Sequence, residues 1–288
     1  MSTHYDEDQT PQILIEDLIR KIKDLPILPD VSQAMLKNLD DEDISLDTIC
    51  EKIGLDQALA AKVLKLANAS FFGSNSKVVT IQQAVSMLGI KNLKNLIRTS
   101  IYSRNFSGRA CRNFDSKAYW QHNIATAICA ELISRTLHMK HDFAFTAGLL
   151  HDIGRLALVH CFPKEYEQVI RCATEKDCSL LDAERRVLGV DHVSAGLILA
   201  IHWNFADAIQ DAIRGHHNPE DADLNSVAAI VHVANSIVHA LDLNGTQEDS
   251  VPDISPGAWD SLGLSEDAYL SIFHETELRL EAMQQMLN

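Results

Sequence analysis

A chain of 288 residues with 46% hydrophobic side chains can bury a substantial core, which excludes wholesale disorder. A net charge of −15 argues against a general nucleic-acid binder. With only 12 Gly and 7 Pro, and with Ala, Leu and Ile common, the composition favours helix over strand, and no apolar run reaches the roughly 18 residues of a membrane span.

The first 12 residues are polar and acidic, so this segment is expected to be disordered and is no secretory signal. Ile13, Leu14, Leu18 and Ile22, with Asp17 among them, sketch an amphipathic helix stopped by Pro26 and Pro29. A second helix opens at Pro29–Asp30 and runs to about Leu39. Ser45 is placed to cap the next helix, and Asp56 to cap one carrying Leu59, Val63, Leu64 and Ala67. Residues 68–77 read as a loop, within which Phe71 and Phe72 are assigned to the core. Thr80 and Gln83 form a capping box for a helix that stops at Gly89. Another helix runs on through Arg104, and Ser107–Gly108 closes an N-terminal helical subdomain, 13–108.

Helices are predicted next at 116–138, 142–160, 164–175, 179–188, 192–203, 206–215 and 225–242, giving a second subdomain, 109–242. Ser179 with Asp182 is a start signal and Gly189 a stop. Residues 243–256 read as a loop, and a last helix at 265–286 aligns Tyr269, Ile272, Phe273, Leu280 and Met283, so 243–288 forms a C-terminal appendage. No strand is predicted, and the fold class is an all-α helical bundle. The 6 cysteines contain no C-x-x-C pair and read as reduced, buried thiols of a cytoplasmic protein.

Charge is unevenly distributed. Residues 57–114 hold 9 basic side chains and no acidic one, leaving 16 basic and all 40 acidic residues elsewhere. Such a segment is expected to face either an anionic ligand or the acidic remainder of the same chain.

The informative stretch is Ala147 to Leu156, A-G-L-L-H-D-I-G-R-L. It places His151 and Asp152 inside an apolar helix, where burial without partners costs several kcal/mol. Metal coordination compensates both, since imidazole offers a neutral nitrogen and the carboxylate neutralises charge. His122, His192 and the His216–His217 pair lie on separate predicted helices, the arrangement from which bundles build metal sites. His138, His141, His160, His202, His239 and His274 are assigned to ordinary surface or hydrogen-bonded roles.

The segment A-G-L-L-H-D-I-G resembles the signature of the HD superfamily of metal-dependent phosphohydrolases. L-P-I-L-P-D-V (25–31), D-Q-A-L-A-A-K-V-L-K-L-A-N-A-S-F-F-G (56–73) and V-T-I-Q-Q-A-V-S-M-L-G (79–89) resemble the HDOD family, the HD-related output domains. That resemblance spans 25–241 and implies an HD-like helical half joined to a further helical N-terminal half, working in bacterial signal transduction. It implies metal ligands at His122, His151 and Asp152, with Asn235 where active HD enzymes carry an aspartate. The related HD-GYP phosphodiesterases imply ligands at His192, His216 and His217, and a phosphate-facing cation at Arg155, although the G-Y-P motif is absent. Asn235 brings an amide oxygen without negative charge, which weakens a metal site. The expected function is therefore regulatory binding of signalling proteins or an anionic ligand such as a nucleotide, with a divalent Fe, Mn, Ni or Zn ion held in the array. The alternative is a metal-dependent phosphohydrolase or phosphodiesterase, with Asp152 and Arg155 catalytic.

Overall fold

The computed structural model describes residues 13–22, 45–69, 77–102, 111–139, 143–219, 226–243 and 251–285. The expected helix at Pro29–Leu39, the Phe71–Phe72 loop and His141 lie outside them. All regular structure among the described residues is helical.

The N-terminal helices are α1 (Ile15–Lys21), α2 (Leu46–Gly54), α3 (Gln57–Ala69) and α4 (Ile81–Tyr102). Local sequence sets their starts. The Ser45 hydroxyl accepts from Thr48 N–H, and Asp56 Oδ1 accepts from Leu59 N–H. Thr80 Oγ1 accepts from Gln83 N–H, but the Gln83 side chain returns to Val79 N–H, one residue short of a reciprocal box. Gly89, at φ 70°, breaks α4 into two helical runs, and only glycine adopts that conformation freely. Helix α3 is immersed, with Leu59, Val63 and Leu64 at most 1% exposed, each stabilising the fold by roughly 1.5–3 kcal/mol.

The C-terminal helices are α5 (Ser116–Thr136), α6 (Ala144–Leu150), α7 (Ile153–Cys161), α8 (Pro163–Lys176), α9 (Leu180–Leu188), α10 (His192–His202), α11 (Asp207–Gly215), α12 (Val227–Ala240), α13 (Pro256–Leu262) and α14 (Glu266–Gln285). Helix α5 is the central pillar, packed by α6, α12 and α14. Helix α3 leans on α6, joining the two halves. Helix α1 crosses to α7 and α10, where Ile13 N–H donates to Leu188 O and Lys21 Nζ to Cys161 O. The basic segment also meets its own chain: Lys65 lies over the Trp203 ring and Lys77 reaches Phe205 O and Asp207.

Two sequence expectations need correction. The single helix at 142–160 is two helices, α6 and α7, broken at His151–Asp152. The break lets α7 meet α10 backbone to backbone at Gly154 and Gly196, where a Cβ on Gly154 would lie 1.9 Å from His192 O. Helix α13 also went unread, because Pro256 signals a stop in isolation yet occupies the first turn after the Ser255 cap. The Ser179 cap and Gly189 stop occur as expected, and all 6 cysteines are free thiols, but only Cys129 and Cys161 are buried, and Cys111 and Cys178 lie outside any helix.

Candidate metal centre

Helix ends deliver the site. His151 and Asp152 occupy the α6–α7 break, His192 is the first residue of α10, and His216–His217 directly follow α11. His122 comes from the body of α5. Asp152 is the hub: its Oδ1 lies 3.9 Å from His151 Nε2, 3.4 Å from His192 Nε2 and 3.3 Å from His216 Nε2. His122 Nε2 sits 3.2 Å from His151 Nε2, and His192 Nε2 sits 2.9 Å from His217 Nε2. These residues form two groups sharing Asp152: His122, His151 and Asp152, and Asp152, His192, His216 and His217. Within each group the ligand atoms lie within 4.8 Å of one another.

The hydrogen bonds fix which nitrogen carries the proton. His151 Nδ1–H donates to Gly148 O (2.7 Å), and His216 Nδ1–H to Ile213 O (2.8 Å). Both rings therefore point Nε2 inward. For His216 that nitrogen is buried 3.3 Å from Asp152 Oδ1 and has no hydrogen-bond partner. His151 Nε2 pairs with His122 Nε2 at 3.2 Å, but His122 Nδ1 is buried and unpartnered, so His122 has an unsatisfied nitrogen whichever tautomer it adopts. Buried unpaired acceptors cost about 1–3 kcal/mol each. A cation at the centre of each group removes that cost, so the donor set fits divalent metal.

Glu184 stands behind His192 and is fully buried. Its Oε2 accepts from His192 Nδ1 and from His192 N–H, both at 2.7 Å, and its Oε1 accepts from Tyr166 Oη at 2.7 Å. This carboxylate–imidazole pair orients the ring and raises its basicity. Burial opposes protonation of His192, but Glu184 and then Asp152 outweigh it and lift its pKa to about 9. Burial likewise opposes ionisation of Asp152, yet His151, His192 and His216 hold its carboxyl well below the usual range. Burial pushes His151 down to about 4 and also lowers His122, His217 and His232.

These shifts predict an acid-sensitive fold. A histidine held neutral in the native state contributes stability above its unfolded pKa of about 6.5, and that stability drains as pH falls toward the folded value. Four histidines act in this sense. His192, raised to about 9, opposes them by losing its contribution as pH rises from about 6.5 through 9. The chelated protein should therefore melt several degrees lower at pH 5 than at pH 6.5. A flat melting temperature across that interval would contradict the buried-neutral assignment.

Among the other sequence-predicted residues, Arg155 lies beside the cluster, 5.8 Å from the Phe114 and Tyr119 ring centroids. Asn235 is buried on α12, and its Oδ1 has no hydrogen-bond partner. One turn later, the His239 ring lies 4.6 Å from that of His122, so His239 belongs beside the cluster rather than with the surface histidines. The spacing of Asn235 and His239, four apart on one helical face, was the available signal. Glu184 was also missed, although it sits between Leu180 and Leu188 at four-residue intervals on the inward face of α9. His232 forms an outer pillar, donating from Nδ1 to His216 O and accepting at Nε2 from Ser255 N–H. His138, His202 and His274 are exposed, as expected.

A family model described as HDOD domain matches residues 25–219. An uncharacterized protein of Treponema pallidum (strain Nichols) is 26% identical over 235 residues, covering 80% of this chain but only 45% of that protein. The crystal structure of the MmoQ response regulator from Methylococcus capsulatus strain Bath superposes with a TM-score of 0.71 at 24% identity, over 87% of this chain and 98% of that one. An HDOD domain protein of unknown function from Geobacter sulfurreducens gives 0.55 at 25% identity, over 94% and 96%.

Proposed function

We propose that this chain, which belongs to the HDOD family, is a metal-holding regulatory module of signal transduction that works by binding rather than by turnover. The observation that carries the metal reading is the convergence of anchored imidazoles on Asp152, with His216 Nε2 and His122 Nδ1 buried and without a hydrogen-bond partner. Family membership supports the signalling role, and the name of the Methylococcus protein, a response regulator, agrees with it. No helix among the described residues is long and apolar enough to cross a membrane.

Five histidines and Asp152 would hold the metal, which would supply Lewis acidity and lower the pKa of bound water. Fe, Mn, Ni and Zn all suit such a nitrogen-rich set. One inward carboxylate cannot neutralise two divalent ions in a buried pocket. The site is therefore suited to an anionic ligand, phosphate or nucleotide in class, with Arg155 adjacent to receive it. Asn235 supplies no further negative charge, and this weakens the case for efficient hydrolysis. The second reading, a metal-dependent phosphohydrolase with Asp152 and Arg155 in catalysis, draws on that adjacency of cation and cluster.

Elemental analysis of the freshly purified protein separates these readings from a vestigial array. At least one equivalent of transition metal is expected, with no measurable turnover of cyclic dinucleotides or simple phosphoesters when Mn, Fe, Ni or Zn is supplied. Turnover that depends on Asp152 would establish the hydrolase reading instead. Failure to take up any of the four metals would overturn both.

A further inference from the structure

The α6–α7 break that presents His151 and Asp152 leaves the last turn of α6 with carbonyls lacking the usual partner four residues on. One of them, Leu149 O, accepts a 2.7 Å hydrogen bond from Nε2 of Gln57, a residue 92 positions earlier in the chain. Gln57 is the first residue of α3 and only 5% exposed. Its second amide hydrogen goes to Asn123 Oδ1 (3.0 Å) on α5, and its Oε1 accepts from the Tyr119 hydroxyl. Tyr119 Oη also lies 3.0 Å from Asp152 O. The Gln57 amide therefore ties down the Leu149 side directly, and Tyr119, whose one hydroxyl hydrogen serves either Gln57 Oε1 or Asp152 O, stands between it and the Asp152 side.

We infer that Gln57 is a positioning residue of the metal centre, through which the N-terminal half holds the Leu149–Asp152 backbone in its ligand-presenting form. The inference rests on the metal-centre reading for its effect on affinity, while its effect on the backbone is independent of metal. The need for Leu149 O to meet a donor fixes the amide orientation, so Gln57 is a side-chain cap supplied across the junction between halves. A neighbouring bond provides the contrast. Trp120 Nε1–H donates to Leu55 O, also linking α5 to the start of α3, but touches neither side of the break. Coupling through Gln57 is reciprocal: metal held at His151 and Asp152 steadies the docking of α3, and detachment of α3 loosens the ligands.

The test uses the full chain with Gln57→Met, which keeps length and volume, and Trp120→Phe as the matched loss of an inter-half hydrogen bond. Hydrogen exchange across residues 145–155 is measured in chelated protein, and zinc affinity by competition. Gln57→Met is expected to exchange at least tenfold faster in that segment and to bind zinc about 10–100-fold more weakly. Trp120→Phe should lower the melting temperature while leaving both readouts near wild type. Should Gln57→Met not fold, Gln57→Asn, one methylene shorter, should shift both readouts the same way by less. Unchanged exchange and unchanged zinc affinity in the folded variant would overturn the inference. If the wild type takes up no zinc but Gln57→Met still loosens 145–155, the positioning role stands and the metal-centre reading falls.

Discussion

Asp152→Ala is expected to abolish metal retention, with affinity falling by more than about a hundredfold, the upper end of losses seen for mere supporting residues. The reason is topological. Among the described residues, Asp152 is the only carboxylate in either candidate ligand group, and it belongs to both. Removing it eliminates the residue common to both groups and their only carboxylate at once. His217→Ala removes one imidazole from one group and leaves His122, His151 and Asp152 intact, so it should cost at most part of the metal. Metal content measured on the two variants side by side checks this. Equal metal in Asp152→Ala and wild type would disprove the hub role.

Gly154→Ala is expected to damage both stability and the site. A methyl there would lie 1.9 Å from His192 O and 2.4 Å from Gly196 N, distances no real Cβ tolerates. The obstructing atoms are backbone, so neither can rotate away. Reaching even 3.0 Å requires α7 and α10 to part by about 1 Å. Overpacking of this kind costs on the order of 3 kcal/mol, a drop of roughly 5 °C in melting temperature for a chain of this size. Because His192 begins α10 and Asp152 immediately precedes α7, the same displacement pulls one ligand from the other. Thermal unfolding and metal analysis should therefore deteriorate together. A variant with an unchanged melting temperature would show that the two helices have slack at this crossing.

The sequence made the helices legible where the decisive forces are local. Ser45, Asp56, Thr80 and Ser179 each satisfy the amide three residues on, and Gly189 ends its helix by its own conformation. The His-Asp cluster was legible because buried imidazoles on several apolar helices have few inexpensive fates. The break at His151–Asp152 was not, since periodicity continues unbroken through it. What bends the chain there is a tertiary crossing at Gly154 and hydrogen bonds from Gln57 and Tyr119, all remote in sequence. Glu184 and His239 escaped for a related reason: each looks like an ordinary polar residue until the facing helix is known.

The attachment of α1 bears on the order in which the molecule assembles. Lys21 finds its carbonyl partner at Cys161, 140 residues later, and Ile13 finds Leu188 later still. The first described helix therefore has its binding surface made from segments synthesised about 140 residues or more after it. Loops of this length carry a high closure entropy, although each doubling adds only about 0.6 kcal/mol. During synthesis the apolar face of α1, with Leu18 and Ile22 fully buried in the finished fold, must wait without its partner. Slower acquisition of the native state than in a bundle built on local contacts is expected from that long-range clasp.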